Sequence, residues 1–104
     1  MTYNIEATGL DKAIHHILAA KDMQGQASTS FAIRIGQGTA RLTEGISLAN
    51  RTKVLLLGHS LVNSTDIWTT IDLQKDHINV INSNVCFQDL HLANGQVLGI
   101  WSFC

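Results

Sequence analysis

Beyond residue 30 the chain is cut into short apolar segments by turns of Asn, Gly, Ser, Asp and Lys, and no proline occurs anywhere in its 104 residues. The segments run Phe31–Ile35, Arg41–Thr43, Ile46–Leu48, Val54–Leu57, Ile67–Leu73, Ile78–Ile81, Val85–Phe87, Leu90–Leu92 and Val97–Phe103. In the first, Phe31, Ile33 and Ile35 alternate with Ala32 and Arg34, the period of a strand buried on one face. Several segments hold only three or four residues, fewer than the five or six usual in a strand of a sandwich. The connectors, such as Asn50-Arg51, Asn82-Ser83-Asn84 and Asn94-Gly95, use residues that tolerate left-handed backbone. Short strands and tight turns of this kind predict strands stacked on counterparts further along the chain, in preference to antiparallel hairpins.

One segment has a different period. Leu10, Ala13, Ile14, Ile17 and Leu18 fall on one face at helical spacing. Thr8 stands three residues before Asp11 in the manner of a capping box, Lys21 suits the negative end of the dipole, and Gly25 is a natural stop. The spacing predicts a helix over 9–22, a polar linker from Gln26 to Ser30, and strands over 30–104. A chain of this length buries roughly two thirds of its unfolded surface and holds one core, so 1–104 reads as a single domain.

Hydrophobic residues make up 45% of the sequence and charged residues only 14%, so much of the surface is amide, hydroxyl and backbone. That balance suits stacked strands or a self-associating protein. The net charge is −1 and the seven Lys and Arg are scattered, with only Arg51 and Lys53 close together. Neither nucleic acid nor an anionic membrane is expected as a partner. The two cysteines, Cys86 and Cys104, lack metal-type spacing and read as structural, with their redox state open. Residues 1–30 carry no secretory pattern, and no run approaches the roughly 20 apolar residues of a membrane span. Location is therefore left open. The triplets Asn50-Arg51-Thr52 and Asn63-Ser64-Thr65 are glycosylation acceptors only in a secreted chain.

Two stretches look like a known pattern. The first is Phe31-Ala32-Ile33-Arg34-Ile35-Gly36-Gln37-Gly38-Thr39-Ala40-Arg41-Leu42, with Ile46-Ser47-Leu48 and Val54-Leu55-Leu56-Leu57-Gly58 behind it. Together with the preceding helix it resembles the entry to pectin-lyase-like proteins, in which an amphipathic helix caps a solenoid and a Gly-Thr-aromatic turn leads into the first coil. The second, Asn84-Val85-Cys86-Phe87-Gln88-Asp89-Leu90-His91-Leu92-Ala93-Asn94-Gly95, is similar to the coil consensus of the same superfamily. Here Ala40 stands where Tyr is usual. The resemblance implies a mainly β fold: a right-handed parallel β-helix of about three coils of 20–25 residues each, capped by one N-terminal helix. The alternative is an α+β domain with the helix packed on an antiparallel sheet.

Within the second stretch Val85, Phe87, Leu90 and Leu92 are expected to point inward, with Cys86, Gln88, Asp89 and His91 outward or at a corner. The outward carboxylates and imidazole, Asp66, Asp72, Asp89 and His91, are the candidates for acid-base chemistry. A solvated corner Asp beside a solvent-facing His is the plainer account of Asp89 and His91. Trp68 and Trp101 are candidates for stacking on sugar rings, against the plainer account of packing. His15 and His16 point about 100° apart on a helix, and His59, His77 and His91 are far apart in sequence, so no metal and no cofactor is expected. Gly36-Gln37-Gly38 lacks the Lys of a phosphate loop, and Gly58-His59-Ser60 lacks the second Gly of a nucleophile elbow.

The C-terminal run Val97, Leu98, Ile100, Trp101 and Phe103 is apolar with no polar closure. A bare last coil invites association. Either strands of a longer chain continue from this edge, or another chain closes it. The functional expectation is a structural or binding module of a surface or phage-fibre-like protein, self-associating and in contact with polysaccharide, without activity of its own. The alternative is the N-terminal part of a polysaccharide lyase or glycoside hydrolase.

Overall fold

The computed structural model describes residues 1–63 and 65–104; the triplet at Asn63 includes Ser64, which lies outside the described residues. The elements in order are β1 (Thr2–Ile5), a 3-10 turn (Ala7–Gly9), α1 (Leu10–Ala19), β2 (Ser30–Ile35), β3 (Gly38–Arg41), β4 (Ile46–Ala49) and β5 (Lys53–Leu57). After these come β6 (Thr69–Asp72), β7 (His77–Ile81), β8 (Val85–Gln88), β9 (Leu90–Ala93), β10 (Gln96–Leu98) and β11 (Ser102–Phe103). The protein is mainly β with one short helix.

The strands form three separate sheets, ordered β1-β2-β5-β8-β11, β4-β7-β10 and β3-β6-β9. Every strand pair is parallel. This arrangement corrects the expected fold class. In place of one β-helix of about three coils behind a helical cap, the strands divide among three sheets of five, three and three strands. Coils of 20–25 residues would also space partner strands evenly, and the spacing is uneven. Phe31 faces Val54, Val54 faces Val85 and Ile78 faces Val97, steps of 23, 31 and 19 residues. The cause is the connectors, which run from the single Asp89 between β8 and β9 to the long loop between β5 and β6. The antiparallel alternative is corrected as well: a helix does pack on sheet, but the one antiparallel contact among the described residues is the isolated bridge of Lys21 with Ala27.

Two boundaries differ for local reasons. The helix stops at Ala19, short of the expected 22, because Asp22 closes a turn of its own. Its Oδ1 accepts from the backbone N–H of Gln24 and of Gln26, both at 2.9 Å. At the other end no side chain caps the helix. Asp11 instead accepts from the backbone N–H of Thr43 at 3.1 Å and from its hydroxyl at 2.8 Å, tying α1 to the turn before β4. The expected strand Val97–Phe103 is broken at Gly99, where φ is +112° and a Cβ would run into the Val80 carbonyl oxygen. The chain turns there and passes from one sheet to another. The strand β1 had no counterpart in the sequence reading; its Tyr3 and Ile5 alternate with polar residues too briefly to register.

The core is built of rows of side chains aligned across the parallel strands. One row runs Tyr3, Ile33, Leu56, Phe87 and Phe103 through the five-stranded sheet. The others include Ala40, Ile71 and Leu92, and Ile46, Ile78 and Val97. Leu10, Ile14 and Ile17 of the helix are buried in the same cluster. Among the described residues no helix is long and apolar enough to cross a membrane.

Candidate functional site

Burial along these rows falls off at their ends: Tyr3 on the edge strand β1 is partly covered, and the last strands are more open. Ile33, Leu56 and Phe87 are essentially inaccessible, whereas Phe103, next in the same row, is 71% exposed. Leu92 and Val97 likewise end their rows only partly covered. Ile100, at the bend after β10, is 89% exposed, and Leu98 and Ile81 are exposed beside it. The strands β9, β10 and β11 each stand at the end of their sheet, so their outer backbone donors and acceptors have no strand partner in this structure. Three free edges and the uncovered ends of the core thus meet at one end of the molecule.

The last strand is held by few contacts. Only Ser102 and Phe103 pair with β8. Cys86 and Cys104 form a disulfide across the same two strands, with Cα atoms 5.7 Å apart, a separation ordinary for such bonds. Trp101 is partly buried and packs edge-to-face on Phe87 at 5.3 Å and on Phe103 at 4.9 Å. Beside it lies an open groove of about 680 Å³, lined among others by Thr52, Asn82, Asn84, Ile100 and Trp101. The groove arises because the residues after Gly99 bridge directly to β11, leaving the Asn82-Ser83-Asn84 turn without a counterpart above it. Below, that turn is fully engaged. Asn82 Nδ2 donates to Asn50 Oδ1 at 3.0 Å, and Ser83 Oγ lies 3.0 Å from the Leu48 carbonyl and accepts from the Arg51 N–H.

Arg51, which also borders the groove, is not free to hold a ligand. Its three nitrogens donate to the carbonyls of Ala49, Ser28 and Leu18 at 3.2, 2.7 and 3.1 Å. The guanidinium sits 5.9 Å from the centre of the Phe31 ring.

The acid-base candidates fall in three places, a loop, a corner and the β6–β9 pair, where Asp72 and His91 stand two register positions apart on neighbouring strands. Asp66 lies in the loop between β5 and β6, where Oδ2 accepts from the backbone N–H groups of Val62 and Asn63. These two bonds, Asn63 first, hold its carboxyl below the usual carboxylate range, with the nearby His59 adding to the effect against partial burial. His59 Nε2 stands 3.4 Å from Asp66 Oδ2 but is not aligned for a hydrogen bond. The sequence reading missed this pair: nothing marks a His and an Asp seven residues apart until the loop closes. Asp72, at the end of β6, accepts from the Gln74 N–H and from Asn94 Nδ2. Those contacts, Gln74 first, lower its pKa, and Arg41 at 3.8 Å contributes. Asp89 sits at the β8–β9 corner with φ +54° and its carboxylate beside Gln88. His91 is exposed on β9 in a row with Thr39 and Thr70. Asp89 and His91 make no hydrogen bond to each other among the described contacts.

Trp68 is half exposed just before β6, and its carbonyl accepts from the Gly38 N–H. It shares the β5–β6 loop with exposed Leu61, Val62 and Ile67. His15 Nε2 lies 3.6 Å from Asp11 and 3.5 Å from Glu44 without a hydrogen bond. Among the described residues, no group of three His, Cys, Asp or Glu is arranged to hold a metal ion.

No family model matches the chain, and neither a curated protein nor a solved structure matches it. None of these comparisons bears on the resemblance to pectin-lyase-like proteins.

Proposed function

We propose that this chain is a structural and binding module that associates through the free sheet edges at its C-terminal end. The observation that carries the reading is the coincidence at that end of three unpaired strand edges with the uncovered row ends Leu92, Val97 and Phe103. Unpaired edges template further strands, and an apolar patch beside them adds burial. Hydrogen exchange measured at rising protein concentration tests it. The amides of β9, β10 and β11 are expected to gain protection as concentration rises. Protection that does not change with concentration would sink the reading.

The groove beside Trp101 favours a second reading, contact with polysaccharide. Amide and hydroxyl groups next to an indole suit a sugar, whose faces are apolar and whose rim is all hydroxyl. Titration with neutral oligosaccharides should then change the emission of Trp101, and Trp101→Ala should abolish the change; an unaltered spectrum rules the reading out. No reaction is assigned, because among the described contacts Asp66, Asp72, Asp89 and His91 make no hydrogen bond to one another.

A further inference from the structure

The strand β1 is an edge strand: β2 lies on one side of it, and no strand among the described residues lies on the other. Its bonds to β2 run through odd positions, the Met1 and Ile5 carbonyls accepting from the N–H groups of Ala32 and Gly36, both at 2.9 Å. Backbone groups alternate along a strand, so the N–H and C=O of Thr2 and Asn4 point away from β2, at the free edge. Tyr3 and Ile5 stand in register with the buried Ile33 and Ile35 but are themselves only partly buried. Between them and α1 runs an open groove of about 490 Å³, lined by Tyr3, Ile5, Ala13 and Ile17 with the exposed Lys12 and His16 beside them. The carboxylates nearest in sequence are turned elsewhere. Asp11 is bonded to Thr43, and Glu6 borders a separate depression with Asn4 and Arg34.

We propose that this edge and groove bind an extended peptide of another protein, which adds to β1 as a further strand and carries an apolar and an acidic residue on its groove-facing side. The site is separate from the association surface at the C-terminal end and does not depend on it. Thr2 and Asn4 each present one donor and one acceptor, which an incoming backbone pairs and a helix or an apolar small molecule leaves unmet. Neighbouring strands in register place their side chains on the same face, so every second residue of the peptide stands beside Tyr3 and Ile5, over the groove. An apolar side chain there covers Ala13 and Ile17. A carboxylate two positions along meets Lys12 at the rim, because alternate residues of a strand and residues one turn apart on a helix are spaced by similar distances, about 6 Å. Main-chain bonds then supply affinity, while the groove and the cation supply specificity. A second copy of this chain fits less well, since the same face of its own β1 offers Tyr3 and Ile5 and no carboxylate.

Nuclear magnetic resonance titration of the 104-residue chain with two capped peptides tests the proposal. The first is a threonine pentapeptide with valine at its second position and glutamate at its fourth; the second has lysine in place of the glutamate. The first is expected to shift the amides of Thr2 and Asn4 and to slow their exchange, and the second to bind at least about threefold more weakly, the worth of an exposed ion pair. Lys12→Glu, at an exposed position, should reverse that preference. Ala13→Leu, which fills the groove from the helix side, should weaken both peptides at least about tenfold. The reversal reads a preference between two ligands, so it holds as a test even if Ala13→Leu fails to fold. Amides of Thr2 and Asn4 that respond to neither peptide overturn the proposal, and so does a preference that Lys12→Glu leaves unchanged. Amides that become protected with rising protein concentration in the absence of peptide assign the edge to a second copy and overturn it as well.

Discussion

Arg51 ties together three parts of the chain that share no strand pairing: the end of the helix, the linker before β2 and the corner after β4. A guanidinium does this where an ammonium cannot, because its donors diverge in one plane toward three carbonyls. Arg51→Ala is expected to cost about 2–3 kcal/mol in urea unfolding, the value of charge-assisted bonds lost from a partly buried site. Arg51→Lys should recover less than half of that; full recovery would show that charge alone matters. Asp66 works on a smaller region, holding the β5–β6 loop closed on Val62 and Asn63. Its folded-state pKa is depressed, so the closure is complete above the ordinary carboxylate range and is lost as pH falls through the lowered value. Protection of the amides in residues 59–63, taken relative to their intrinsic exchange rates, should fall on acidification, and Asp66→Asn should show the same low protection at neutral pH. A loop equally protected in both proteins would refute the assignment.

Among the elements, β11 is the least secured, with two paired residues and one disulfide. The bond closes a loop with a sequence separation of 18 residues, for which chain entropy gives about 3 kcal/mol. Reduction, or Cys104→Ser, should lower the unfolding midpoint and release Trp101 from Phe87, read as a change in near-ultraviolet dichroism. Thiol labelling of the native protein that finds two free cysteines would contradict the pairing. The sequence showed most strands at this scale, because alternation over Phe31–Ile35 and short apolar runs such as Val54–Leu57 and Val85–Phe87, bounded by turn residues, mark strands. It could not show where the last apolar run breaks. Val97 to Phe103 is continuous in hydropathy, and the break depends on how closely Gly99 approaches the Val80 carbonyl in the strand beneath. The disulfide was hidden for a similar reason: Cys86 and Cys104 become neighbours only once Ser102 lies beside Cys86.

For the molecule as a whole, the sequence pointed to the exposed C-terminal run, and the structure shows what surrounds it: three edges and the ends of the core rows. The division into three sheets could not be read in advance, since uneven connectors hide any repeat. Phe87 is the residue where that architecture is most exposed to test. It is fully buried, lies between Leu56 and Phe103 in its row, and supports Trp101. Phe87→Ala should cost about 3–5 kcal/mol, and because the row continues through it, association should weaken along with stability in the same titration. Stability lost without any effect on association would separate the core from the end face.

The uneven connectors carry an engineering consequence. Strand register here is set by side chains locking across neighbouring strands, so the length of the segment between Gly58 and Trp68 is not what positions β6. Foreign sequence spliced in between Leu61 and Val62, both exposed and just outside the closure of Val62 on Asp66, would be carried as a pendant on the scaffold.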